Sequence, residues 1–255
     1  MPPLPAHLLL LALIAAPAAA IGSFCGALVV RWPQGRSVMR GRSGCDSCGA
    51  ALGWPQLIPL VSWAMLRGRC ARCGAAIDPA QPLAEAAGVV IGLAPALWLP
   101  LAQAWPVMVF GWLLLPLILL DARHFWLPDA LVLVLALVGA LVVLGGYGAP
   151  WPQALAGALA GFGTLWLLAR FYRWRTGHEG LGGGDAKLLG AIGIWTGVQP
   201  VPMVLLVASL GGLAWAGWRQ WRHGGLTGQT RLPLGTLMGM AAWLIMLHPW
   251  PLGPR

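Results

Sequence analysis

The chain has 255 residues, of which 58% are apolar, and with its 36 glycines that share reaches about 72%, against about 45–50% by the same count in a soluble domain. Charged residues make up only 9% where about 25% is usual, so the polar side chains cannot coat an ordinary globule, and the apolar excess excludes intrinsic disorder. The net charge of +9, from 16 basic against 7 acidic side chains, leaves nucleic acid, an anionic membrane surface or topology signals as explanations, and position along the chain decides between them.

Apolar stretches able to cross a hydrocarbon core need about 20 residues. They fall near 7–30, 83–101, 104–121, 129–147, 152–171, 185–198, 201–218 and 233–249. The expected fold class is therefore an all-α polytopic membrane protein of about eight transmembrane helices. In the first stretch, Ala18-Ala19-Ala20 resembles a signal-peptidase site. No basic residue precedes it, however, and apolar sequence runs on to Val30, which describes an uncleaved span with its amino end outside. The sixth stretch is short and glycine-studded between Leu188 and Trp195. The tryptophans near span ends, among them Trp98, Trp105, Trp126, Trp151, Trp174 and Trp250, fit an interfacial belt. Three segments result: a first transmembrane helix over 1–30, an arginine-rich insert over 31–82 and a bundle over 83–255.

The basic residues test the orientation, because they collect on the cytoplasmic side of spans. Arg31, Arg36, Arg40, Arg42, Arg67, Arg69 and Arg72 follow span one, and Arg123 follows span three. Arg170, Arg173, Arg175 and Lys187 flank the loop after span five, and Arg219, Arg222 and Arg231 follow span seven. That places 15 of the 16 on one side, with Arg255 opposite. Both termini are then outside and the insert is cytoplasmic.

Within the insert, Cys45-Asp-Ser-Cys48 and Cys70-Ala-Arg-Cys73 form two C-x-x-C pairs separated by 21 residues. Two tight turns at this spacing can bring four thiolates around one tetrahedral zinc. Gly49 and Gly74, each directly after a pair, provide the backbone freedom such turns use. The alternative is two disulfides or four unrelated buried thiols, and it is weakened because lasting disulfides are rare in a reducing cytoplasm. Four sulfur ligands leave no open coordination position, so this zinc is structural and the insert reads as zinc-ribbon-like. The arginines already serve topology and do not alternate with base-stacking aromatics, so no nucleic-acid partner is expected. Cys25, inside span one, reads as a small packing residue.

Of the seven carboxylates, Asp46, Asp78 and Glu179 read as solvated or ion-paired, Glu85 as a helix cap, and Asp129 as an amino-terminal cap after Leu127-Pro128. Asp121 closes the run Leu113–Leu120 at the cytoplasmic end of span three, and Asp185 follows Gly182-Gly183-Gly184 at the cytoplasmic start of span six. Both belong at one membrane depth. Carboxylates bordering hydrocarbon are costly and mark pathways or catalysis, and two held close share a proton, the state an aspartyl protease uses. The competing reading pairs Asp121 with Arg123 and Asp185 with Lys187. Gly180, Gly182, Gly183 and Gly184 favour catalysis if the backbone must bend there or admit an extended peptide. The run lacks the spacing of a phosphate-binding loop.

These motifs together resemble the bacterial prepilin peptidases, or type IV leader peptidases, membrane aspartyl proteases of the Gly-x-Gly-Asp class. The likeness is carried by Gly22-Ser23-Phe24 with Arg31-Trp32-Pro33, the two cysteine pairs, Ile58-Pro59-Leu60-Val61-Ser62-Trp63 and Pro82-Leu83-Ala84-Glu85. It is strongest in Asp121 with Leu127-Pro128-Asp129 and in Gly182-Gly183-Gly184-Asp185-Ala186-Lys187-Leu188. The resemblance implies Asp121 and Asp185 as catalytic residues, supported by Gly182, Gly184 and Lys187. It also implies cleavage of the leader peptides of type IV prepilins or pseudopilins at the cytoplasmic face of a bacterial inner membrane. Many members then methylate the new amino terminus with S-adenosylmethionine. The sequence departs from the family pattern at Gly26, where Asn is frequent, and at Gln56-Leu57, where Glu-Asn is frequent. Two rivals stand beside this reading: a transporter with the aspartates on an ion path, and a membrane adaptor that recruits a partner through its zinc ribbon.

Overall fold

The computed structural model describes residues 4–39, 41–178, 182–223 and 232–248. Among these residues the chain is helical, with two isolated β-bridges and no extended strand. Two compact units, Met1–Trp98 and Leu99–Arg255, divide it.

The first unit holds α1 (Leu4–Arg31), the short α2 (Val61–Met65) and α3 (Ala80–Trp98). α1 and α3 approach at backbone distance, because a Cβ on Gly22 would strike the Ala84 carbonyl and one on Gly88 would strike that of Ala18. This contact groups α3 with α1; hydropathy alone does not report which helix packs on which. The cap of α3 is Asp78, whose Oδ1 accepts the Ala80 amide at 2.8 Å. Glu85 corrects the expected capping role: it lies in the second turn of α3, is 5% exposed, and its Oε2 accepts the Leu60 amide at 2.7 Å. Leu60 sits at φ 60°, ψ −47°, the centre of a tight turn closed by Val61 N–H on the Pro59 carbonyl at 2.6 Å. Such a turn is strained for a residue with a Cβ, and Glu85 helps to hold it. Gly26 leaves room for the Gln81 side chain, whose amide nitrogen lies 2.9 Å from Ser23 Oγ.

The second unit contains α4 (Leu101–His124), α5 (Asp129–Leu144), α6 (Trp151–Thr176), α7 (Gly183–Thr196), α8 (Val201–His223) and α9 (Leu234–Leu247). α7 carries much of the core: Leu188, Leu189, Ile192 and Trp195 are almost wholly buried, alongside Phe110, Leu114, Leu135 and Met238. It lies against α6 with Gly157 facing Gly193 and Gly161 facing the Leu189 carbonyl, where no Cβ fits. Trp195 Nε1 donates to the Leu135 carbonyl at 2.9 Å, and its ring fills the space left by Gly139. Outside the core, Leu133, Leu137, Leu141 and Leu144 of α5 are exposed. An apolar face of this kind marks a side that meets lipid or another protein surface.

All eight apolar stretches of the sequence contain helix, but they differ in reach. Among the described residues five helices are long and apolar enough to cross a membrane: those at Leu9–Gln34, Ala80–Trp98, Leu101–His124, Trp151–Thr176 and Val201–Arg222. α5 and α9, with 16 and 14 residues, are shorter apolar helices of about 24 and 21 Å, below the hydrocarbon thickness of about 30 Å. α7 has 14 residues as well. Trp98, Trp151 and Trp174 are strongly exposed near helix ends.

Candidate functional site

The four cysteines of the first unit are built into two copies of one turn. Cys45 N–H bonds the Ala50 carbonyl and Gly49 N–H the Cys45 carbonyl, both at 2.9 Å; Cys70 N–H bonds Ala75 at 2.8 Å and Gly74 N–H bonds Cys70 at 2.9 Å. Gly49 and Gly74 take φ of 69° and 72°, a conformation that side chains with a Cβ avoid. Each turn is closed by a bridge, Gly44 with Ala51 and Arg69 with Ala76. The first turn is tied to the end of α1, where Asp46 Oδ1 lies 2.9 Å from Arg31 Nε and 3.0 Å from an Arg36 nitrogen.

All four sulfurs lie within 4.8 Å of one another, and those of Cys45 and Cys73 are 3.9 Å apart. Tetrahedral zinc with bonds of about 2.3 Å sets its sulfurs about 3.8 Å apart, so the donor set fits a metal ion. Electrostatics agree. Amide donors from Cys73 and Arg72 pull the Cys70 thiol down to about 6. The Ala75 amide pulls on Cys73 too, yet the neighbouring thiols and its surroundings outweigh it and push it up to about 11. A cation held between the sulfurs would favour their thiolate forms.

The aspartates lie in the second unit. Asp121 occupies the last turn of α4 and is 5% exposed. Its Oδ2 accepts the backbone amide of Thr236 at 2.6 Å and faces the Thr236 hydroxyl at 2.9 Å. Thr236 is the third residue of α9, whose N-cap, Pro233, supplies no side-chain acceptor. Asp121 therefore takes up an amide that the start of a helix leaves unpaired. Asp185 is half-buried at the third position of α7, and the backbone of its N-cap residue, Gly182, hydrogen-bonds its carboxylate, the reach-back half of a capping box. Each carboxylate is thus held at a helix amino terminus, where backbone dipoles favour negative charge. The two are close enough that the charge of Asp121 acts on Asp185.

The residues around them define how the pair is assembled. Leu127 is the wedge: it stands where a Cβ on Gly184 would come within 3.1 Å and one on Gly235 within 2.9 Å. Within the glycine run the need for space is local to Gly184. A Cβ on Gly183 meets nothing and one on Gly182 makes an ordinary 3.4 Å contact with Asp185. Gly182 is extended, at φ −69° and ψ 136°, and Gly183 begins α7. The backbone of Gly182–Gly184 accordingly makes no turn that only glycine can adopt; Gly180 and Glu179 lie outside the described residues.

Lys187 pairs with Asp129, its Nζ 2.7 and 2.8 Å from the two carboxylate oxygens, so the local pairing with Asp185 does not form. The bridge joins the start of α7 to the start of α5. Asp129 is also corrected: the N-cap of α5 is Pro128 with no side-chain cap, and Asp129 is the first helical residue. Arg40, Arg231, Arg255, Trp250 and most of the segment from Arg222 to Leu232 lie outside the described residues. Thr236 and Gly235 had no signal as site residues. Pro233 before an apolar run marks a helix start, but the carboxylate that meets it is 115 positions away.

Comparison with known proteins places both clusters inside matched segments. Residues 17–99 match the bacterial peptidase A24 N-terminal domain, and residues 108–217 match the type IV leader peptidase family. A prepilin leader peptidase/N-methyltransferase of Pectobacterium carotovorum is 39% identical over 183 residues, 70% of this chain and 66% of that protein. One of Aeromonas salmonicida is 36% identical over 217 residues, 83% of this chain and 72% of that protein. One of Neisseria gonorrhoeae is 37% identical over 183 residues, covering 69% and 62%. The chain therefore spans about two thirds of the length of these curated relatives. No solved structure matches it.

Proposed function

The chain belongs to the type IV leader peptidase family, and on that premise we propose that it is a membrane aspartyl endopeptidase that removes the leader of type IV prepilins or pseudopilins. The observation that carries the reading is that Asp121 and Asp185, from distant parts of the chain, lie at the amino termini of α9 and α7, and that Gly235 and Gly184 at those termini both face Leu127. One carboxylate takes a proton from water as the water oxygen attacks the scissile carbonyl carbon. The other, protonated, polarises the carbonyl oxygen, and a proton then passes to the leaving amine as the C–N bond breaks. Gly184 and Lys187 keep α7 against Leu127 and α5 so that Asp185 stays opposite Asp121, and Gly182 supplies the backbone contact to Asp185.

In this reading all eight apolar helices lie in a bacterial inner membrane as crossings or partial crossings, with both termini outside and the aspartates facing the cytoplasm, as the arginine distribution requires. The functional segments are the first helix of 1–30, the insert of 31–82 and the protease bundle of 83–255, with α3 packed in the first unit. The metal held by Cys45, Cys48, Cys70 and Cys73 is zinc, in a structural role. The relatives' names also carry N-methyltransferase, and we extend that activity to this chain, with S-adenosylmethionine as the methyl donor. At the two positions that depart from the family pattern, Gly26 accommodates Gln81 and Gln56 Oε1 accepts the Gly53 amide at 3.0 Å.

The test is cleavage of a prepilin by the protein reconstituted in vesicles. Asp121→Asn and Asp185→Asn should each abolish the shortened product, and robust cleavage by either removes the assignment. A transporter would lose transport with Asp185→Asn and never cleave; an adaptor would tolerate both changes. Methyl transfer is read separately, as the mass of one added methyl group on the mature amino terminus.

A further inference from the structure

We infer that Thr236 is a positioning residue for peptide hydrolysis, one that fixes the carboxylate of Asp121 and determines which of its oxygens handles the proton. The inference rests on the aspartyl-peptidase reading and lies outside the family match, which ends at residue 217.

The need for such a residue comes from where Asp121 sits. It is in the last turn of α4, and the carboxyl end of a helix carries the negative pole of the backbone dipoles. Its own helix therefore opposes an ionised carboxylate there, and at 5% exposure water does little to compensate. The compensation comes from α9. Thr236 presents both donors to one oxygen, its backbone N–H at 2.6 Å and its hydroxyl at 2.9 Å from Oδ2. Gly235 makes this approach feasible, since a Cβ there would stand 3.1 Å from both Asp121 Cγ and Oδ2.

Two consequences follow for the chemistry. With Oδ2 engaged by two donors, Oδ1 is the oxygen left to take or give the catalytic proton. In addition, the Thr236 hydroxyl has one proton and two acceptors, Asp121 Oδ2 and the Ile118 carbonyl at 3.0 Å. While Asp121 is ionised, the hydroxyl donates to the carboxylate, because a bond to a charged acceptor is the stronger. Once Oδ1 carries the proton, the hydroxyl turns to Ile118 and the amide alone holds Oδ2. The side chain thus follows the charge of Asp121 through the cycle without moving the carboxylate.

The experiment uses the full chain in vesicles with a prepilin substrate and compares Thr236→Val, Thr236→Ala and Thr236→Ser with wild type and Asp121→Asn. Val keeps the shape and the amide but not the hydroxyl. The expected result is that Val and Ala lower kcat about ten- to hundredfold, the range for a hydrogen bond to a charged group, with KM nearly unchanged, while Ser recovers most of the rate. Should Val unfold the protein, the comparison of Ala with Ser decides alone. Wild-type kcat in the Val and Ala variants, a change confined to KM, or a Ser variant as slow as Ala would each overturn the inference. Cleavage by Asp121→Asn would instead overturn the underlying reading, so the two failures are distinguishable.

Discussion

The Gly235→Ala substitution tests whether the exact seat of Asp121 governs the rate. A methyl group added at this position would lie 2.9 Å from Leu127 Cδ1 and 3.1 Å from Asp121 Cγ and Oδ2, where ordinary contacts begin near 3.4 Å. Leu127 has little room to yield, because its other side abuts Gly184. The carboxylate must then retreat by a few tenths of an ångström, lengthening its 2.6 Å bond from the Thr236 amide. Overpacking of this kind costs about 1–3 kcal/mol, offset by up to about 1 kcal/mol from replacing glycine inside a helix, so net destabilisation is modest. Catalysis is more sensitive, since about 1 Å of misplacement can cost on the order of a hundredfold. The expected outcome is a fall in kcat of about ten- to hundredfold in single-turnover cleavage, with the protein still folded. Gly217→Ala provides the contrast, because a Cβ there meets nothing, and it should leave cleavage unchanged while adding about 0.5–1 kcal/mol of stability. Cleavage by Gly235→Ala within about twofold of wild type would show that the seat of Asp121 does not limit the reaction.

Three other outcomes are expected. Cys70→Ser should lower the bound metal from the wild-type level towards none and expose the insert to limited proteolysis, as measured by elemental analysis and fragment mass. Lys187→Met removes an ion pair whose partners are 48% and 72% exposed. Its cost in thermal unfolding should therefore be small, about 0–1 kcal/mol, while cleavage slows as the start of α7 loosens. Trp195→Phe replaces a buried indole by a smaller phenyl ring and loses the bond to the Leu135 carbonyl, so packing and hydrogen-bond losses together should cost about 2–4 kcal/mol in unfolding experiments.

What was legible in the sequence depended on the range of the signal. The cysteine cluster was readable in detail because each C-x-x-C turn is closed by neighbours: Cys45 with Ala50, Cys70 with Ala75, and a left-handed glycine after each pair. The helical segments were readable for the same reason, since apolar runs of this length have few alternatives. Their reach was less so. α7 is too short for a full crossing by length alone, yet it is held by the glycine contacts with α6, and a hydropathy window does not register packing of backbone on backbone. Composition made the seven carboxylates conspicuous, but their partners were hidden. Asp129 and Lys187 are 58 positions apart, and Asp121 and Thr236 are 115 apart. Nearest-neighbour charge pairing therefore offered Asp185 to Lys187 as the competing reading, while the acceptor it meets is Asp129 at the start of α5. The glycine run shows the same limit: beside a backbone bend or the approach of a peptide, the structure adds a cause at Gly184, space for Leu127. A glycine admits either explanation from sequence, and only the neighbour across the gap decides. The same logic explains why the support of Asp121 could not be read from its own segment. A carboxylate at the wrong end of its helix signals that help comes from elsewhere, and here that help is the amino end of α9.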